Sequence, residues 1–298
     1  MTTSRRAAYG RRPLSWKACM DNHVFAAVIL AALLHAGWNS VVKVGLDRVS
    51  TILLLAIAQG AIAAVALPFV DRPAAAAFPM IAAAAALHAG YKLFLIEAYA
   101  RADLSQAYPL ARGAAPIFVT VISVLFLDAT FAPSALVAIG AISAGILLMA
   151  AKGSTSGRMD GHALFFALGT AGFTASYTLL DGLGARVAGT PSGFVLWMVI
   201  GDTALLTAFI ALRHGRAAFA GLRPAWKSGV AAGAMSLGSY WIAVWAFTQA
   251  PIALVAALRE SSILFAALIA AFVLREPVSR WRWISAACIA CGLALMKA

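Results

Sequence analysis

DLSQAYPLARGAAPIF, residues 103–118, is the stretch on which the reading of this chain turns. It lies among long apolar runs, yet it carries a tyrosine, an arginine and two prolines. An arginine at membrane depth costs at least ~2.5–3.5 kcal/mol, so Arg112 is expected to face a water-filled or protein-lined interior. Pro109 and Pro116 each remove a backbone donor and bend a helix, which hydrocarbon tolerates only where neighbours or water satisfy the freed carbonyls. Tyr108 lies one turn before Arg112, so the two project from one face. The second half holds a counterpart, APIALVAALRESSILF, residues 250–265, in which Arg259 takes the place of Arg112 and Phe265 that of Phe118. A broken, charged helix that recurs once per half points to a solute site at the interface of two repeats.

The composition agrees with a bilayer. Of 298 residues 63% are hydrophobic and 11% charged, and mean hydropathy is +0.89. A soluble domain averages about 25% charged, so the counting unit here is a span of about 20 apolar residues. The net charge of +12 does not indicate nucleic acid. Its basic residues sit in short loops between apolar runs, where they act as topology determinants and contacts with anionic lipid. Cys19, Cys288 and Cys291 are too few for a disulfide framework, and the CxxC of the last two lies in an apolar helix without a second pair. They read as small packing residues rather than a zinc site.

Residues 1–22 form a basic tail with no apolar period, expected to be disordered or untranslated, since MDNHVFAAVIL from Met20 opens the first span directly. Ten spans follow, at about 23–43, 51–70, 78–100, 105–127, 134–151, 161–181, 191–212, 225–249, 253–274 and 281–297. The polar break at 152–160 divides them into five-span halves, 23–151 and 161–298. FLDATFAPSALVAIGAISAGILLMA from Phe126 lies without gaps on VLREPVSRWRWISAACIACGLALMK from Val273, matching Ile142 and Gly145 to Ile289 and Gly292. An odd number of spans per half makes the two copies antiparallel. The fold class expected is therefore an all-α integral membrane protein of ten transmembrane helices, two inverted five-helix repeats around a central cavity.

Polar side chains within the spans are candidates for that cavity. His35, Trp38 and Asn39 share one face of the first span, and Lys43 continues its direction. The alternative is that Trp38 is an interfacial anchor and Asn39 a helix–helix hydrogen bond. His88, Tyr91 and Lys92 repeat this spacing in the third span, where Glu97 is expected to pair with Arg101 near the helix end. Tyr177 in the sixth span and Tyr240 and Trp241 in the eighth complete the set, although an aromatic stripe is packing more often than recognition. Arg259 and Glu260 are neighbours about 100° apart, so each needs its own partner. Asp202 and Glu260 are the acids least able to reach an interface, which makes them candidates for proton coupling. Permanent pairing with Arg112 or Arg259 would instead leave a carrier driven by its solute gradient alone.

No HExxH, GxSxG, P-loop or paired aspartate cluster is present, so no catalytic set, metal site or cofactor site is read from the chain. A membrane enzyme acting on a lipid head group through His35, His88 and the acids remains the alternative. At HAGWNSVVK (35–43) and EAYARADLSQAYPLARGAAP (97–116), taken with the two halves of five spans, the chain resembles the drug/metabolite transporter superfamily, in particular its EamA-type members. The resemblance implies ten helices in two inverted repeats, both termini cytoplasmic in an inner membrane, and a carrier, often an exporter, of small metabolites such as amino acids. The cavity is then lined by spans 1, 3, 4, 6, 8 and 9. The partners expected are a small-molecule solute and the lipid bilayer, with no nucleic acid and a monomeric chain. The loops do not favour this orientation: eight basic residues, from the tail with Arg72, Arg186 and Lys297, would be cytoplasmic against eleven on the other side.

Overall fold

The computed structural model describes residues 20–42, 48–102, 104–152, 159–215, 217–220, 222–273, 275 and 279–297. The basic tail to position 19, Cys19 and Lys43 lie outside the described residues. Regular structure among the described residues is helical: α1 (Asn22–Val42), α2 (Arg48–Ala66), α3 (Phe78–Arg101), α4 (Leu104–Phe126), α5 (Pro133–Lys152), α6 (Gly161–Ala188), α7 (Pro191–His214), the short α8 (Ala217–Ala220), α9 (Trp226–Gln249), α10 (Ile252–Arg259), α11 (Ser262–Leu268) and α12 (Arg280–Leu295). Eight stretches among the described residues are long and apolar enough to cross a membrane: Val49–Phe69, Ala75–Arg101, Gln106–Phe126, Pro133–Lys152, Gly161–Ala188, Pro191–His214, Trp226–Gln249 and Ile252–Val273.

Local chemistry sets the helix ends. Asp160 caps α6, its carboxylate accepting from the Ala163 N–H at 2.6 Å, and Gly189 ends the helix at φ 72°, a left-handed conformation that suits glycine. Thr190 then caps α7 through the Gly193 N–H at 3.1 Å, with Pro191 inside the first turn where its missing donor is not needed. α6 thus runs to Ala188, two turns past the expected span end at 181. The end of α9 is closed from another helix. Pro251 has no N–H to give the Phe247 carbonyl, and the Arg186 side chain of α6 donates to that oxygen instead, through Nε at 3.1 Å and through Nη2.

The expected pair of broken helices is found in one half only. α4 stays helical through Pro109 and Pro116, with Thr120 Oγ1 donating to the Pro116 carbonyl at 2.8 Å and α5 and α6 packed along its length. The second counterpart breaks without a proline. At Glu260 and Ser261 the backbone N–H groups bond back three residues, to Ala257 and Leu258, and the chain tightens between α10 and α11. A π-helical turn, Ile269–Val273, ends this stretch.

The helices pack in a pattern that survives exchange of the halves. α3 lies on α6 and α7, and α9 lies on α1 and α2; α4 lies on α5 and α6, while α10 and α11 lie on α1 and α12; α2 meets α7 and α5 meets α12. The α5–α12 crossing is close because each helix places a glycine against the other. A Cβ on Gly292 would come 2.6 Å from Ile142 Cγ1, and one on Gly145 would come 3.0 Å from the Ser285 carbonyl oxygen.

Candidate functional site

The break between α10 and α11 is where the two halves exchange charge. Arg112, on α4, donates from Nε to Glu260 Oε2 at 2.9 Å and from Nη2 to Ser262 Oγ at 3.3 Å. Its guanidinium also lies 5.9 Å from the centre of the Tyr108 ring, one turn back on the same face. Both members of the pair are buried, and 148 residues separate them in the chain. Charged groups this deep persist only when matched, and here each matches the other.

Arg259 behaves differently from Arg112. Its guanidinium sits 5.1 Å from the centre of the Tyr240 ring on α9, and among the described residues it has no carboxylate partner. Laying Arg112 on Arg259 puts Val255 and Ala256 where the first half has Tyr108 and Pro109. The two arginines are repeat-mates by position, yet one is neutralised and the other is not. Both act electrostatically on His35, Tyr91, Tyr108 and Tyr177, which places these four side chains around them. The group so formed draws on α1, α3, α4, α6, α9 and α10, the six spans expected to line the cavity.

A second buried cluster adjoins it. His88 Nε2 on α3 lies 2.8 Å from Asp181 Oδ2 on α6, and the Tyr240 hydroxyl donates to the same oxygen while standing 3.2 Å from His88 Nε2. The His88 ring stacks on Tyr177 at 4.0 Å between centres, and Tyr91 meets Tyr177 edge-on at 5.5 Å. Asp181 is wholly buried, and its Oδ1 has no hydrogen-bond partner among the described residues. Sequence reasoning passed over Asp181. The available signal was its i, i+4 spacing from Tyr177, on the face that Tyr177 shares with the arginines.

The remaining candidates take several roles. Lys92 pairs with Asp202 of α7, so this acid is matched by a lysine rather than by Arg112 or Arg259. Glu97 pairs with Arg101 at the largely exposed end of α3. Trp38 Nε1 donates to His35 Nδ1 at 3.3 Å, and Asn39 donates to the His35 carbonyl at 2.8 Å, so the polar face of α1 is bonded largely to itself. Trp241 Nε1 donates to Ser192 Oγ at 2.9 Å, which joins α9 to the start of α7. Among the described residues no three His, Cys, Asp or Glu side chains converge as a metal ion would require.

Residues 162–298 match the profile of the EamA-like transporter family. The resemblance to EamA-type transporters of the drug/metabolite transporter superfamily is borne out there, in the half opposite the motif that first suggested it. No curated protein matches. Among solved structures 28 chains match; one, described only as the crystal structure of a protein, has a TM-score of 0.70 at 17% identity over 92% of this chain and 94% of its own. At that identity the likeness concerns the fold alone. The family match over residues 162–298 and the apolar helices support a multi-pass membrane protein of the transporter kind.

Proposed function

We propose that the chain is a secondary carrier of small metabolites bearing a carboxylate, such as amino acids. It works by alternating access in a bacterial inner membrane, with net export when the metabolite is in excess inside. The observation that carries this reading is Arg259, a guanidinium without a carboxylate partner among the described residues, set over Tyr240 beside a mid-span helix break. A guanidinium holds a carboxylate through two parallel hydrogen bonds, a geometry that an ammonium cannot reproduce. Helix breaks near the middle of a membrane are where carriers expose backbone and side-chain groups to solute.

The frame we infer is ten spans in two inverted repeats, residues 23–151 and 161–298, joined by 152–160. Two features support it: the helix packing that survives exchange of the halves, and the reciprocal seating of Gly145 and Gly292. Both termini belong in the cytoplasm in this reading. A single cysteine at position 213, in an otherwise cysteine-free chain, is then labelled by a membrane-impermeant maleimide from the periplasm, and labelling from the cytoplasm alone reverses the topology.

The function is tested in proteoliposomes loaded with a mixture of isotope-labelled amino acids, with efflux read by mass spectrometry. Flux of unmodified solute that Arg259→Gln abolishes supports the carrier. Chemical conversion of added phospholipid without flux would favour the membrane enzyme instead.

A further inference from the structure

We propose that the His88–Asp181–Tyr240 cluster is where the carrier takes up and releases a proton during its cycle, an inference that rests on the carrier reading above. Three acids are buried among the described residues: Asp181, Asp202 and Glu260. Asp202 is matched by Lys92 and Glu260 by Arg112. The guanidinium keeps its charge at any physiological pH, and the ammonium is held against its own carboxylate. Asp181 alone is met by groups that are neutral in their ordinary forms, an imidazole and a phenol. Its counter-charge can therefore come and go.

The geometry gives the proton a place to bind. Both hydrogen bonds of His88 use Nε2, so the neutral imidazole carries its hydrogen there and donates it to Asp181 Oδ2. Nδ1 is the acceptor left over. A proton bound at Nδ1 converts the ring to an imidazolium already seated on a carboxylate, and its departure restores the neutral ring without a bond rearranged elsewhere. Asp181 Oδ1, buried with no partner, is a second acceptor in the same cluster.

The other groups facing this cluster are unsuited to the task. From α6 comes Tyr177, stacked on His88, and from α3 Tyr91, edge-on to Tyr177, both phenols that keep their protons at neutral pH. From α4 and α10 come Arg112, with Glu260 bound to it, and Arg259. Lys92 and Asp202 lie on α3 and α7 as a closed pair. His35 on α1 faces both guanidiniums and has no carboxylate beside it. Histidine is the side chain whose charge changes between about pH 5 and 8, and His88 is the histidine placed against an acid.

The consequence for transport follows from the charges. Asp181, neutral His88 and Arg259 sum to zero, with Tyr240 touching all three. A proton on His88 makes the sum +1, and a solute carboxylate at Arg259 returns it to zero. A proton and a solute of net charge −1 are thereby carried together, in the direction that their combined gradients set, whereas a zwitterionic amino acid leaves the sum at +1.

The experiment needs no knowledge of the solute. Amide hydrogen exchange of the full chain in lipid nanodiscs is followed by mass spectrometry at about pH 5.5 and pH 8, with intrinsic rates divided out. Peptides of α3, α6 and α9, the helices joined by the cluster, should change protection between the two conditions. His88→Gln and Asp181→Asn should each abolish that change, and His162→Gln, at the exposed start of α6, should preserve it. If Asp181→Asn fails to fold, His88→Gln decides. The proposal is overturned if the wild type shows no response, if the response survives His88→Gln, or if His162→Gln abolishes it. Failure of the carrier reading is seen separately, as absent flux in the proteoliposomes, whichever way the exchange experiment falls.

Discussion

Glu260→Leu should be among the most damaging single changes in the chain, and Arg112→Leu should largely cancel it. The two side chains meet at 2.9 Å with 9% of Arg112 and 5% of Glu260 exposed. Unit charges at about 4 Å interact by ~4 kcal/mol at an effective dielectric constant of 20, and desolvation offsets most of that. The intact pair therefore contributes little net stability, whereas removal of one member strands the other. Each single leucine variant should cost about 3–5 kcal/mol, and the double variant much less than the sum of the two. Ser262 Oγ, the second acceptor of Arg112 at 3.3 Å, is too weak a partner to hold the guanidinium alone. The assay is equilibrium unfolding in mixed micelles of neutral detergent with a rising fraction of dodecyl sulfate, read by circular dichroism and tryptophan fluorescence. A cost below ~1 kcal/mol for Glu260→Leu, or additive losses in the double variant, would refute a closed buried pair.

Arg259→Lys keeps the charge but loses the planar fork, so vesicle flux should fall at least tenfold, on the order of 1.4 kcal/mol, with little change in unfolding midpoint. Arg112→Lys should lower the unfolding midpoint as well, because Glu260 and Ser262 are both held by the fork it removes. Gly292→Ala drives a methyl to 2.6 Å from Ile142 Cγ1 and 2.9 Å from the Ala138 carbonyl oxygen, and should destabilise the α5–α12 crossing by about 1–3 kcal/mol in the same unfolding assay. Arg186→Met strands the Phe247 carbonyl, which Pro251 cannot serve, and should cost about 1–3 kcal/mol. Faster amide exchange confined to the end of α9 would accompany that loss, and unchanged exchange there would show that another donor takes over.

The helices were legible because spans are set by length and hydrophobicity alone, and the starts expected at 78, 161 and 191 coincide with those of α3, α6 and α7. The break in the second half was legible only by analogy with α4. Proline removes a donor but does not oblige a packed helix to part, so α4 stays one helix where a break was expected. The α10–α11 break has no sequence marker of that kind. Adjacent Arg259 and Glu260 must reach partners in different directions, Tyr240 on one side and Arg112 on the other, and a turn tightened by i to i−3 bonds permits both. Which of the two arginines would be neutralised was hidden for the same reason. A balanced count of buried charges says that pairs exist, but the pairs join residues 110 and 148 positions apart, and only packing assigns them.

Asp181 shows where span counting itself misleads. About 20 apolar residues suffice to cross the hydrocarbon, so a span beginning at Gly161 ends, on that measure, at Asp181, where an aspartate looks like an ordinary helix terminus in the head-group layer. α6 instead runs 28 residues to Ala188. Its last turns remain apolar because Gly182 and Gly184 let Ile252 and Phe194 approach the backbone, where any Cβ would come within 2.5 Å and 2.4 Å of them. Small residues there carry little hydropathy signal, so the continuation reads as a loop although side chains of Ile252 and Phe194 are seated on its backbone. A helix longer than the bilayer must tilt or project, and Asp181, seven positions before the end of this one, lies wholly inside the protein. The general consequence is that an acid at the apparent end of a span, followed by a glycine-rich continuation and a left-handed cap such as Gly189, is better read as buried. In this chain that rule joins Asp181 to Tyr177, already a cavity candidate, as two members of one interior cluster, with His88 and Tyr240 as their partners from α3 and α9.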